Sequence, residues 1–193
     1  MELRQDLPAD LRRRFQSGRI CLDFTHTGGE GEYTRWELLH RPQDASRFLS
    51  LIIGTESFRV RRNDMSRIIY LRAAITSEAR ARAAGEIAPA EMLEVINEAA
   101  ANPPLVTQLG NDSNALFLSG TTSQALSTLA RDAIDLFVSP HGKRIRICEA
   151  RDCELLLVDA SRPGRRRWCS MEWCGDRQKK RTASRRAQRG DAR

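Results

Sequence analysis

Four of the five cysteines fall in two matched pairs near the C-terminus, Cys148 with Cys153 and Cys169 with Cys174, and four residues separate the members of each pair. Each short loop can fold two thiolates onto one ion, and the intervening chain brings the second loop back to the first, as a tetrahedral metal site requires. Two disulfides, or four unrelated buried thiols, are the competing readings. The opening stretch MELRQDLPADLRRRF has no apolar signal core, so a cytoplasmic, reducing location is expected. There, paired cysteines serve metals more often than disulfides. Four thiolates with no other ligand make a closed structural site, so the expected cofactor is Zn2+, one per chain. Cys21, far upstream, reads as a small buried apolar residue rather than a fifth ligand.

The second chemical feature follows the last cysteine. Residues 162–193 hold 12 Lys/Arg against three Asp/Glu, while the rest of the chain holds 20 against 22, so the whole net charge of +7 comes from the final sixth. Such asymmetry points to a polyanion as partner for that end. From Arg177, arginines recur at Arg181, Arg185 and Arg189, which places four guanidinium groups on one helical face over about 18 Å. Lys179, Lys180 and Arg186 widen the stripe, and Arg165, Arg166 and Arg167 add a cluster before it. Only alanines are apolar in this helix, so it has no face to bury and must be held by something else. Metal would hold its first turn and phosphates the remainder. Phosphate neutralisation carries affinity without sequence information; Gln178, Arg181 and Arg185 are the residues placed to read base edges. An acidic protein, a membrane surface or a solvated tail are the blander readings. Trp168 and Trp173 read as small-core residues around the metal rather than as stacking platforms.

The elements that must position these groups follow from periodicity and punctuation. Arg19–Phe24 reads as a short apolar strand, followed by the polar, glycine-rich loop 25–32. Helices are expected over 42–53, 57–84 (stopped by Gly85), 89–101 and 122–138. In the third of these, Met92, Leu93, Val95 and Ile96 would face inward. Strands at 105–109 and 115–118 would form a hairpin around Gly110-Asn111-Asp112-Ser113. Ser139-Pro140-His141-Gly142 breaks the pattern and sets the expected boundary between domains 1–142 and 143–193. Beyond it, strands are expected at 144–147, 155–158 and 166–168, then a helix whose first turn carries Cys174. A thiolate there gains from the helix dipole. The module is too small to depend on an apolar core alone, so the ion must supply much of its folding free energy. The fold class is therefore α+β: a mainly helical N-terminal domain with a small sheet, plus a treble-clef-like zinc finger of β-hairpin and basic helix.

The run Cys148…Cys153, Asp159-x-Ser161-x-x-Gly164-Arg165-Arg166-Arg167-Trp168-Cys169-Ser170-Met171, then Cys174-Gly175-Asp176-Arg177-x-Lys179, resembles the CGNR zinc finger family over nearly all of 143–186. Leu22-Asp23-Phe24-Thr25-His26-Thr27 is similar to the start of the ABATE domain, which precedes this finger in bacterial proteins. The resemblance implies a stress-induced transcription regulator, with zinc and DNA. Two positions depart from it. Asp176 stands where the family has Asn, which puts a nucleic-acid contact there in doubt, and His26 stands where the family usually has Asn.

Asp23, Thr25, His26 and Thr27, at a strand end before glycines, would line a ligand pocket, with His26 as a base or a turn cap. No phosphate-binding glycine loop, nucleophile elbow or His/Glu metal motif is present, so catalysis is not expected. No segment approaches the apolar length of a membrane span. The expected function is a zinc-dependent DNA-binding transcription regulator, partnered by DNA rather than RNA. Its N-terminal domain would sense a small-molecule effector or mediate homodimerisation. The alternative is a small-molecule-binding protein or enzyme whose basic finger binds RNA or an acidic protein.

Overall fold

Helix α2, Ile20–Thr25, lies at the centre of the molecule, with Cys21, Leu22 and Phe24 fully buried. It belongs to a computed structural model that describes residues 9–53, 58–109 and 116–190, apart from the side chains of residues 9, 10, 32, 116, 117 and 185–190. This segment was expected as a strand. Five of its six residues are buried, and a short apolar run without alternation fits a helix buried on all sides as well as it fits a strand.

Around α2 pack α3 (Pro42–Ile53), α4 (Met65–Ala84) and α6 (Thr122–Val138), with α5 (Ala90–Ala101) against α4 and α6. α1 (Ala9–Arg14) precedes them. α3 turns Phe48, Leu49, Ile52 and Ile53 inward, as its periodicity predicts. α6 begins with a reciprocal cap in which the Gln124 amide donates to Thr121 Oγ1 at 3.3 Å and the Thr121 amide donates to Gln124 Oε1 at 3.0 Å. α4 ends at Gly85, whose φ of 75° supplies the left-handed cap. It starts later than expected, at Met65. Phe58 and Val60 are buried while Arg59 and Arg61 are exposed, so residues 58–61 alternate as extended chain, and a single turn at Arg62–Asp64 leads into the helix. Ser57 lies outside the described residues. In α5, Leu93 is 40% exposed and not inward, because the buried stripe runs through Met92, Val95, Ile96 and Ala99.

Two small antiparallel sheets complete the fold. β1 (Val106–Leu109) pairs with β2 (Leu116–Ser119); the turn expected at 110–113, and Ala115, lie outside the described residues. β3 (Ile145–Ile147) pairs with β4 (Leu156–Val158). The alternation of this second hairpin joins two cores. Ile145, Leu156 and Val158 belong to the large core of α2, α3, α4 and α6, whereas Leu155 and Leu157 pack with Cys148, Cys153 and Cys174. Trp36 reaches the same small core from a turn near the N-terminus. The expected boundary after Gly142 falls in the tight turn Pro140–Arg144, and this hairpin packs on both sides of it.

The third strand expected at 166–168 is absent. Among the described residues, one backbone bond ties this stretch to the first cysteine loop, from the Glu149 amide to the Arg167 carbonyl at 2.9 Å. A turn at Met171–Gly175 then leads into α7, Asp176–Gly190.

Candidate metal centre and basic face

The four sulfurs of Cys148, Cys153, Cys169 and Cys174 lie within 4.8 Å of one another. Cys169 Sγ stands 3.5 Å from both Cys153 Sγ and Cys174 Sγ. Four thiolates around one zinc at the usual Zn–S length stand about 3.8 Å apart, so the cluster has the size that ion requires. The separations are far beyond an S–S bond, and all five cysteines are free thiols.

Thiols packed this closely cannot all ionise on their own. Hydrogen bonds from Cys153 and Cys169 hold the Cys148 thiol well below the usual range. The thiols of Cys153 and Cys169 are pushed up, chiefly by their interaction with the Cys148 sulfur. Four thiolates this close cannot coexist without a cation between them, and a Zn2+ held there would supply that charge. The four cysteines thus form a zinc-binding site, one per chain.

Local chemistry orients each ligand. In the first loop, the Cys148 amide donates to the Leu155 carbonyl and the Cys153 amide to the Ala150 carbonyl, both at 2.9 Å. In the second, the Cys169 amide donates to Cys148 Sγ at 3.3 Å, and the Cys174 amide donates to the Ser170 carbonyl at 3.1 Å. Between the loops, the fully buried Asp159 carboxylate accepts from the Ser161 hydroxyl at 2.6 Å, the Ser161 amide at 3.0 Å and the Arg166 amide at 2.9 Å. The Ser161 hydroxyl and these amides, with the Arg144 charge, hold the Asp159 carboxyl below its usual range despite burial. The run Asp159-x-Ser161-x-x-Gly164-Arg165-Arg166 is therefore a loop wound around one carboxylate. Gly164 turns it at a φ of 63°.

The basic residues sort into those engaged within the finger and those facing solvent. Arg166 donates to the carbonyls of Trp168 (3.0 Å) and Cys169 (2.5 Å), so it braces the second loop. Arg167 pairs with Glu149 at 2.6 Å and lies over Trp168. Lys179 pairs with Asp176 at 3.3 Å in the first turn of α7. Asp152 receives Arg177 at 3.1 Å and Arg181 at 3.5 Å. Arg165 and Lys180 are exposed and make no ion pair among the described residues, and Gln178 lines a cleft beside Arg181 and Trp173. The side chains of Arg185, Arg186 and Arg189 lie outside the described residues, although their backbone continues α7. Trp168 packs on the small core, whereas Trp173 is 44% exposed with Arg13 of α1 stacked on its ring at 4.5 Å.

Asp23, Thr25, His26 and Thr27 are brought together as a buried polar seam. Asp23 accepts from the amide and hydroxyl of Ser17, at 3.0 and 2.7 Å. Thr25 and Thr27 donate to the carbonyls of Leu22 and Phe24. His26 Nδ1 donates to the Arg14 carbonyl at 2.5 Å, and burial pushes its pKa down to about 4.

Beyond this seam a cleft of about 610 Å³ opens between Gly29–Gly31, α4 and the residue after Cys153, lined by Tyr33, Glu37, Arg72, Thr76, Arg80 and Glu154. Arg72 is buried and grips Glu37 with both nitrogens, at 2.8 and 2.7 Å, while donating to Thr27 at 3.2 Å. Gly28, at a φ of 134°, lets the chain pass Glu37, since a Cβ there would lie 2.6 Å from Glu37 Cα. On the rim, Arg80 donates to the Tyr33 hydroxyl at 3.0 Å and pairs with Glu154 at 3.4 Å. Neither Glu154 nor Asp152 carries a local sequence signal, because their partners are 74 and 25 residues away.

A family model described as "Putative stress-induced transcription regulator", ABATE, matches residues 18–140. The chain belongs to the ABATE family. Residues 144–187 match the CGNR zinc finger, whose two cysteine pairs are those gathered at the metal centre. No curated protein matches the chain. In this ABATE protein, no helix among the described residues is long and apolar enough to cross a membrane.

Proposed function

We propose that this ABATE protein is a DNA-binding transcription regulator whose finger engages the DNA backbone through α7 and Arg165. One observation carries the reading: the chain's positive charge is concentrated on a helix that offers no apolar face to bury and follows directly on the turn that carries the last cysteine of the zinc cluster. Such a helix is suited to a polyanion, since neutralising each phosphate releases counterions. Lys180 and Arg165 offer free cations, and Arg181 at 3.5 Å from a half-exposed Asp152 is held weakly enough to exchange it for phosphate.

In the same reading, the N-terminal domain senses a small molecule, and the cleft between Tyr33, Arg72, Arg80 and Glu154 is the place for it. Its volume suits a small ligand, and one wall is the residue that follows a zinc ligand. Occupancy there would bear directly on the finger.

The test is binding of the zinc-loaded chain to random duplex DNA across a salt series. Affinity should fall steeply with salt, and the double variant Arg181→Ala/Arg185→Ala should flatten the slope by about two. Wild-type slope in that variant would remove α7 from the interface. Failure of the wild type to bind duplex DNA, with retention on RNA or an acidic protein, would favour those partners instead.

A further inference from the structure

Arg177 begins the arginine stripe, yet its contacts point inward. Its Nη2 lies 3.7 Å from Cys174 Sγ, and its Nη1 lies 3.1 Å from Asp152 Oδ2. Its Nε is buried within the finger. Asp152 is the residue before Cys153, so the chain of contacts runs from the first cysteine loop, through Arg177, to the last metal ligand. Among the described residues no other cationic side chain donates to a sulfur of the cluster.

Four thiolates carry twice the charge of one Zn2+, so the loaded site is anionic and partly buried. An anionic site is stabilised by N–H groups aimed at its sulfurs, and outer-shell partners of this kind set both ligand orientation and affinity. The Cys169 amide provides one such group, to Cys148. Arg177 provides a second, with a full charge. Its guanidinium is planar and can serve a sulfur and a carboxylate at once, which a lysine ammonium on a flexible stem does less well. Asp152 then prevents Arg177 from swinging out to solvent, and it offsets the repulsion between Arg177 and Arg181 one turn later.

We propose that Arg177 is a positioning residue of the zinc site: it neutralises the Cys174 thiolate and, through Asp152, locks the first turn of α7 to the first cysteine loop. It does not belong to the phosphate-contacting set. The first half stands on the zinc site alone; the second rests on the DNA reading above. The stripe that faces nucleic acid therefore begins at Lys180 and Arg181, with Arg177 fixing the angle at which the helix leaves the finger.

The experiment uses the full zinc-loaded chain and measures zinc affinity by competition with a chromogenic chelator, with the cobalt-substituted protein reporting the tetrahedral thiolate site. Arg177→Ala should weaken metal binding by about tenfold or more, Arg177→Lys should recover part of that loss, and Arg162→Ala, at an exposed arginine away from Asp152, should leave affinity unchanged. Asp152→Asn, which keeps the side chain's shape, should also weaken metal binding. At saturating zinc, Arg177→Ala should keep the wild-type salt slope of DNA binding. Wild-type metal affinity in Arg177→Ala overturns the proposal, and so does a reduced salt slope in the zinc-saturated variant. Should Arg177→Ala fail to fold, wild-type affinity in both Arg177→Lys and Asp152→Asn overturns it equally. If the wild type binds no DNA, the DNA reading fails while the metal arm still decides the role of Arg177.

Discussion

The Tyr33 hydroxyl donates to the Glu154 carbonyl at 2.6 Å, which ties the glycine-rich loop of the ABATE domain to the residue that follows a zinc ligand. Glu154 has a φ of 56°, the one non-glycine residue at positive φ among those described. A side chain held there carries backbone strain, so surrounding contacts must maintain it. Tyr33 is buried, and Arg80 braces its oxygen from the other side. The loop and the metal site are thus joined by a short, well-satisfied set of polar contacts.

Removing that hydroxyl isolates the contribution. In Tyr33→Phe the ring still packs edge-on against Trp36, but the Glu154 carbonyl and Arg80 each lose a partner. The expected loss is about 1–3 kcal/mol of stability, with faster zinc release to a chelator. Urea unfolding and stopped-flow chelation measure the two separately. A destabilised protein with unchanged zinc release would confine Tyr33 to the fold of the N-terminal domain.

The hairpin β3–β4 leads to a second expectation. Leu156 is fully buried in the large core, while its neighbours Leu155 and Leu157 pack with the zinc ligands. Leu156→Ala should cost about 2–5 kcal/mol, as a buried leucine does when its cavity cannot collapse. Because one hairpin serves both cores, zinc removal should also lower the melting temperature of the N-terminal helices. Far-ultraviolet circular dichroism with and without chelator reads this directly. Two separate transitions, with the helical one unmoved by chelator, would show that the cores unfold independently.

Some of this was legible in the sequence and some was not, for physical reasons. Helices over 42–53 and 122–138 were legible because their apolar residues recur at helical spacing and punctuation bounds them. The metal ligands were legible because a loop that places two thiolates on one ion has a characteristic length. Ile20–Thr25 was misread because a buried helix this short has no solvent face, hence no period to detect. The roles of Arg166 and Arg177 were also hidden. A composition rich in arginine says only that charge is present, whereas Arg177 is defined by Asp152, brought close by the two cysteine loops. The cleft escaped for a similar reason: its walls come from residues 29–37, from α4 and from Glu154, which only the docked finger brings together.

His26 gives the fold a pH dependence of predictable sign. Burial pushes the imidazole down to about 4, aided by the Arg14 charge, while the carbonyls of Arg14 and Leu156 favour the proton without prevailing. In the unfolded chain the same group titrates near 6.5. Between these values the unfolded state binds more protons than the folded one, so stability rises with pH across the window. The contribution is fully present above about 6.5 and is lost progressively as pH falls toward about 4. Acid also protonates the zinc thiolates, so the two effects must be separated. His26→Asn retains a donor that can reach the Arg14 carbonyl but cannot be charged. In zinc-loaded protein this variant should show a flatter dependence of unfolding free energy on pH through that window than the wild type, with the remaining slope assigned to the metal site. Parallel profiles for the two proteins would mean that the metal site, and not the buried imidazole, governs the response to acid.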